Sequence, residues 1–131
     1  MSTVLGTAIN PSPTVTMQAG AALGSARYLA LAVTDGKLTL PTAGANVLGI
    51  AIGETDEAVA VGDDVDVQIK DIGKWTAGAE IAVGAELATD AAGKAVTATG
   101  GAFIVGVALT AASAAGSLVQ VQITKSGYKP S

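Results

Sequence analysis

Two stretches of this chain set out the same small residues in the same order. Gly36-Lys37, Thr42, Gly44-Ala45, Gly49 and Ala51 recur about 57 positions later as Gly93-Lys94, Thr99, Gly101-Ala102, Gly106 and Ala108. With about three residues dropped from an acidic loop, Val65-Asp66-Val67-Gln68-Ile69 then matches Val119-Gln120-Val121-Gln122-Ile123. Upstream, Ala19-Gly20-Ala21 matches Ala77-Gly78-Ala79. A shared offset of this kind reads as a tandem duplication; similar turn chemistry without common origin is the alternative. Units this short cannot each bury a core. They are therefore expected to pack face to face as two halves of one domain, in a chain of 131 residues that can bury about two-thirds of its unfolded surface.

The elements inside each copy are strands. The apolar run from Tyr28 to Val33 ends in Thr34-Asp35-Gly36-Lys37, where Asp-Gly suits the positive φ angles of a tight hairpin turn. Lys37 to Leu40 is the return strand, Pro41 breaks the ladder, and Val47 to Ile52 reads as a buried strand. Val65 to Ile69 alternates apolar and polar residues, the mark of a half-exposed strand. Short strands with turn residues between them give an all-β fold, a small β-sandwich or β-barrel built from two similar halves. An extended arm is expected over residues 1–18, a single β domain over 19–125 with repeats at about 19–70 and 77–124, and a flexible tail over 126–131, with Tyr128 as a possible anchor. In the arm, where Leu5 is one of several isolated apolar residues, Pro11 and Pro13 forbid helix and central strand, while the β-branched Thr3, Val4, Ile9 and Val15 favour an open extended chain.

Composition excludes most chemistry. Half of the residues are hydrophobic but only 3% are aromatic, so the core is built from Ala, Val, Ile and Leu. There is no Cys and no His, hence no disulfide, no thiolate metal site and no near-neutral general base. A net charge of −4 without any basic cluster argues against a nucleic-acid partner. The first residues lack a basic segment followed by a long apolar one, so cytoplasmic synthesis is expected. Apolar runs are interrupted well short of the ~20 residues that cross a bilayer, and no membrane partner is expected.

The densest polar feature is Glu54, Asp56, Glu57, Asp63, Asp64 and Asp66. Their spacing does not fit a Ca²⁺ loop with ligands at alternate positions, a central Gly and a terminal Glu. Their counterpart, Ala111 to Gly116, has no carboxylate. A solvated charged loop is the expectation, with no metal and no cofactor. Paired acids alone are the sole support for a glycosidase, and no serine stands in a nucleophile elbow or has a His partner. The Gly-rich stretches lack the spacing of a phosphate cradle. Tyr28, Trp75 and Phe103 are either core plugs or, above all for Trp75 beside Lys74, contacts at a subunit boundary.

Ala-Leu-Ala-Val before Asp-Gly, Leu-Gly-Ile-Ala at 48–51, Lys-Trp-Thr-Ala-Gly-Ala-Glu at 74–80, Leu-Ala-Thr-Asp-Ala-Ala-Gly-Lys at 87–94, Ile-Val-Gly-Val-Ala-Leu at 104–109 and the closing Val-Gln-Val-Gln-Ile resemble the small capsid decoration, or cement, proteins of tailed bacteriophages. The resemblance runs from about residue 17 to 124. It implies a β-sandwich or β-barrel body, commonly a homotrimer, on the outer surface of the phage head, with the major capsid protein as partner and no catalytic residues. The arm residues Thr3, Val4, Leu5, Ile9, Pro11, Pro13 and Val15 would then grip the capsid. The alternative function is a phage fibre or adhesion-type module that binds a host-surface glycan; a hydrolase using the acidic loop is a third.

Overall fold

A computed structural model describes residues 12–53 and 57–131. Among them are ten strands and no helix: β1 Thr14–Gln18, β2 Ala30–Thr34, β3 Lys37–Thr39, β4 Gly49–Ile52, β5 Asp64–Gln68, β6 Asp71–Thr76, β7 Glu86–Thr89, β8 Ala95–Thr97, β9 Phe103–Ala108 and β10 Leu118–Tyr128. They form two five-stranded sheets, ordered β1-β5-β4-β2-β3 and β6-β10-β9-β7-β8. The second order is the first shifted by five strands, so the duplication read from the glycines is a duplication of topology. Each sheet curls back on itself. Gly20 N donates to Leu38 O at 2.8 Å and Gly78 N to Ala95 O at 2.7 Å, bringing the chain just past β1 and β6 against β3 and β8.

Alternation decides which way each strand faces. In β5, Val65 and Val67 are buried and Asp64 and Asp66 exposed; in β10, Val119, Val121 and Ile123 are buried and Gln120 and Gln122 exposed. The hairpin turn falls on Asp35 (φ 52°) and Gly36 (φ 77°), as the Asp-Gly pair demands. β4 is covered on both faces. Ala51 packs into the first half's own core with Leu31, Leu38 and Val67, while its neighbour Ile50 joins Ala30 and Val47 in the core of the second half, beside Trp75, Leu87 and Val105. The first half does bury a core of its own, against the expectation that units this short could not, and the two halves share the other.

Two expected boundaries move. Thr14–Gln18, assigned to the arm, is β1, paired antiparallel to β5 from Thr14 opposite Gln68 to Gln18 opposite Asp64. Val15 therefore belongs to the body. Met17 stands opposite Val65 as Trp75 stands opposite Val119, so β1 is the first half's copy of β6. The tail is not loose either. Ser126, Gly127 and Tyr128 continue β10, and Gly127 and Tyr128 pair with Ile104 and Phe103 beyond a register shift.

Candidate functional site

The described chain begins at one edge of the first sheet. Pro13, with no N–H to offer a ladder, stands just before β1 and its carbonyl accepts from Ile69 N at 2.8 Å. The start of β1 is thereby tied to the end of β5, where the first half ends. Of the residues expected to grip a partner, Thr3, Val4, Leu5, Ile9 and Pro11 lie outside the described residues, and Pro13 and Val15 lie at this edge.

The acidic run lies one strand in, on β5 and in the loop before it. Glu57, Asp63, Asp64 and Asp66 line an open cleft of about 420 Å³ together with Arg27; Glu54 and Asp56 lie outside the described residues. Each acid with a defined contact serves local structure. Asp63 accepts from Ala60 N at 2.9 Å across a turn, and Asp66 accepts the Thr16 hydroxyl from β1. Among the described residues no three carboxylates converge on a point that could hold a metal. Arg27 lies over the Tyr28 ring, 4.7 Å from its centroid, and its Nη2 donates to the Tyr28 hydroxyl at 2.8 Å.

The aromatic residues mark the junction between the halves. Trp75 is fully buried inside the chain, and its indole N–H donates to Gly93 O at 2.8 Å. The same oxygen accepts Ala30 N from the first half at 2.7 Å. A side chain so enclosed cannot reach another subunit, so for Trp75 the core reading holds and the boundary reading is corrected. Tyr28 is half-buried, with a left-handed backbone at φ 64°. That conformation costs a non-glycine residue about 1–2 kcal/mol, and here its carbonyl accepts Thr76 N of the second half at 3.0 Å. Phe103 is buried and meets Tyr128 edge to face, with centroids 5.2 Å apart. The junction also uses Gly44, whose N–H donates to Thr89 O at 2.8 Å and whose carbonyl accepts Phe103 N at 3.0 Å.

Sequence reasoning missed Lys129. Its N–H donates to Ala102 O and its carbonyl accepts Gly101 N, both at 2.8 Å, and its Nζ reaches a Glu86 carboxylate oxygen at 3.3 Å. Past Ile69 and Ile123 the offset linking Gln68 to Gln122 is kept only by Gly73 and Gly127, which does not single out Lys129.

Lys125 has an unusual charge environment. Burial pushes its amine below the ordinary 10.5, and its Nζ lies 5.9 Å from the centre of the Phe103 ring. The folded chain thus holds this proton less tightly than the unfolded one. Stability is reduced while the amine is charged, and it rises as pH climbs from the lowered folded value towards 10.5. Lys125→Met is expected to raise the thermal midpoint at neutral pH, with the gain shrinking towards pH 10.5. A lower midpoint at neutral pH would mean that the contact with Phe103 outweighs the cost of burial.

Two curled sheets with one topology, a shared core and polar groups spent on turns and strand edges define a structural module, assembled for shape. Over residues 4–123 the chain matches the model of the phage cement protein family, and it belongs to that family. No curated protein matches it. Among solved structures it is similar to the head fibre gp8.5 N base of bacteriophage phi29, with a TM-score of 0.65, 24% identity, and coverage of 88% of this chain and 97% of that one. At that identity the likeness concerns the fold.

Proposed function

We propose that the protein decorates the outer surface of a phage head and stabilises the lattice of the major capsid protein, working as a homotrimer and without catalysis. Membership of the cement family over residues 4–123 is the observation that carries this reading. The edge position of β1 supports the means. A segment that precedes an edge strand in the chain can add itself to a neighbouring sheet, where main-chain hydrogen bonds give affinity and Val4, Leu5 and Ile9 fill pockets.

Ordering such a segment costs on the order of 1 kcal/mol or more per residue, so a single arm binds weakly. Three arms on one trimer act together. Once one has docked, the others bind at high effective concentration, and the avidity exceeds single-arm affinity by ~10² to 10⁴. A body that fits only the assembled lattice then shifts the shell away from disassembly by mass action.

Purified protein mixed with undecorated, expanded capsids is expected to co-sediment with them and to raise their resistance to heat. Removing residues 1–11 is expected to weaken the apparent affinity by about 10²-fold or more while leaving the β circular dichroism unchanged. If the protein does not co-sediment, the reading fails; if the shortened chain binds as well as the full one, the arm has no part in attachment. The fibre or adhesion reading predicts saccharide binding instead, and a glycan array with no signal is the expected result.

A further inference from the structure

The contact between the halves is directional. The second half presents the turn at Gly93 together with Thr89 and Phe103; the first half receives them at Ala30 and Gly44. Its apolar part is Ala30, Val47 and Ile50, buried in the second half's core. By the repeat, the receiving face of the first half has a counterpart on the second, made of Glu86, Gly101, Ile104 and Val107. The presenting face of the second half has a counterpart on the first, made of Val33, the turn at Asp35 and Gly36, and Asn46. A head-to-tail contact that does not close on itself leaves one face of each kind over and can add copies without limit.

The two leftover faces are treated differently. The presenting one is open. Val33 is 44% exposed where its counterpart Thr89 is 1% exposed. The chain's own last residues run along the receiving one and take up its main-chain partner at Gly101, while Glu86 and Gly101 stay exposed to solvent. Past Gln68 and Gln122 the backbone turns through a left-handed residue at the same step, Asp71 (φ 69°) and Lys125 (φ 46°). In the first half that path leads into β6; in the second it lays Gly127 and Tyr128 along β9. Gly101 N, counterpart of the Gly44 N that bonds to Thr89 O, donates to Lys129 O instead. Lys129 also sits on Glu86, counterpart of Ala30, while Ile104 is buried in a small cluster with Ala88, Ala98 and Ala102.

We propose that Ser126–Ser131 is a cap, holding on the second half the place that the second half holds on the first, and that it keeps this face closed to the Val33–Gly36 face of a second copy of the chain. The cap allows the body to use one repeat contact internally without the same contact propagating from molecule to molecule.

The test keeps the chain at full length. Tyr128→Ser with Lys129→Glu removes the ring contact to Phe103 and sets like charges together at Glu86. This variant is expected to lose hydrogen-exchange protection at the Gly101 amide. In sedimentation velocity its weight-average mass is expected to rise with concentration, to at least about two-fold that of the unaltered chain. Adding Val33→Glu, on the other face, is expected to return the mass to that of the unaltered chain. The proposal is overturned if the Gly101 amide is freed but the mass does not change, or if Val33→Glu fails to reverse the rise. It is also overturned if the amide stays protected, because the named contacts then do not hold the segment down.

Discussion

Trp75→Ala is expected to cost about 3–5 kcal/mol, the range for removing a large buried ring, out of the roughly 5–15 kcal/mol that holds a domain together. Two things are lost together. The ring fills the core to which Ala30, Val47 and Ile50 come from the first half and Leu87, Val105 and Val119 from the second, so the cavity opens where the halves meet. The indole N–H also gives up Gly93 O, although that oxygen keeps Ala30 N and is not orphaned. Trp75→Phe preserves most of the volume and removes the hydrogen bond, so its cost should be nearer 1–2 kcal/mol. Chemical denaturation followed by circular dichroism gives both numbers. Because the core is shared, each variant should unfold in one transition. A loss below about 1.5 kcal/mol for Trp75→Ala, or separate unfolding of the two halves, would mean that the junction is not the main core.

The second large effect belongs to a pair of glycines. A Cβ on Gly49 would stand 2.0 Å from Gln68 O, and one on Gly106 would stand 2.2 Å from Gln122 O. In both places the obstacle is the main chain of the neighbouring strand, β5 or β10, which cannot rotate away as a side chain can. Overpacking of well-packed sites costs typically about 1–3 kcal/mol and occasionally more. Gly49→Ala and Gly106→Ala are each expected at or above the top of that range, with local loss of the β4–β5 or β9–β10 ladder. Gly36→Ala serves as the comparison. Its Cβ meets nothing, so it carries only the left-handed backbone cost of about 1–2 kcal/mol. Equilibrium unfolding of the three variants should rank Gly49 and Gly106 well ahead of Gly36; equal losses would contradict the close strand approach.

These glycines also explain what the sequence revealed. A position where a strand passes within contact of the glycine accepts nothing larger in either copy, so Gly49 and Gly106 kept their spacing and exposed the repeat. The Asp35-Gly36 hairpin was legible for a similar reason, since its φ angles select the residues. β1 was not, because Met17 and Trp75 fill equivalent places with unlike side chains, and Thr14 corresponds to Ile72. A strand read beside two prolines then looked like part of an arm. Trp75 stayed open between core and boundary because both settings ask for a large amphipathic ring, and only the enclosure by two halves decides between them. The tail looked frayed for want of apolar residues, yet it is held by main-chain bonds at Lys129, which leave no mark in composition.

Attachment to the outside of a phage head is tested most directly by a density map of the intact particle that carries this chain. The map should show copies of the duplicated β body on the outer face of the shell, bridging neighbouring major capsid subunits, with residues 1–13 running from the β1 edge onto capsid protein. Copies inside the shell, copies confined to the tail, or a particle without the chain would contradict the account.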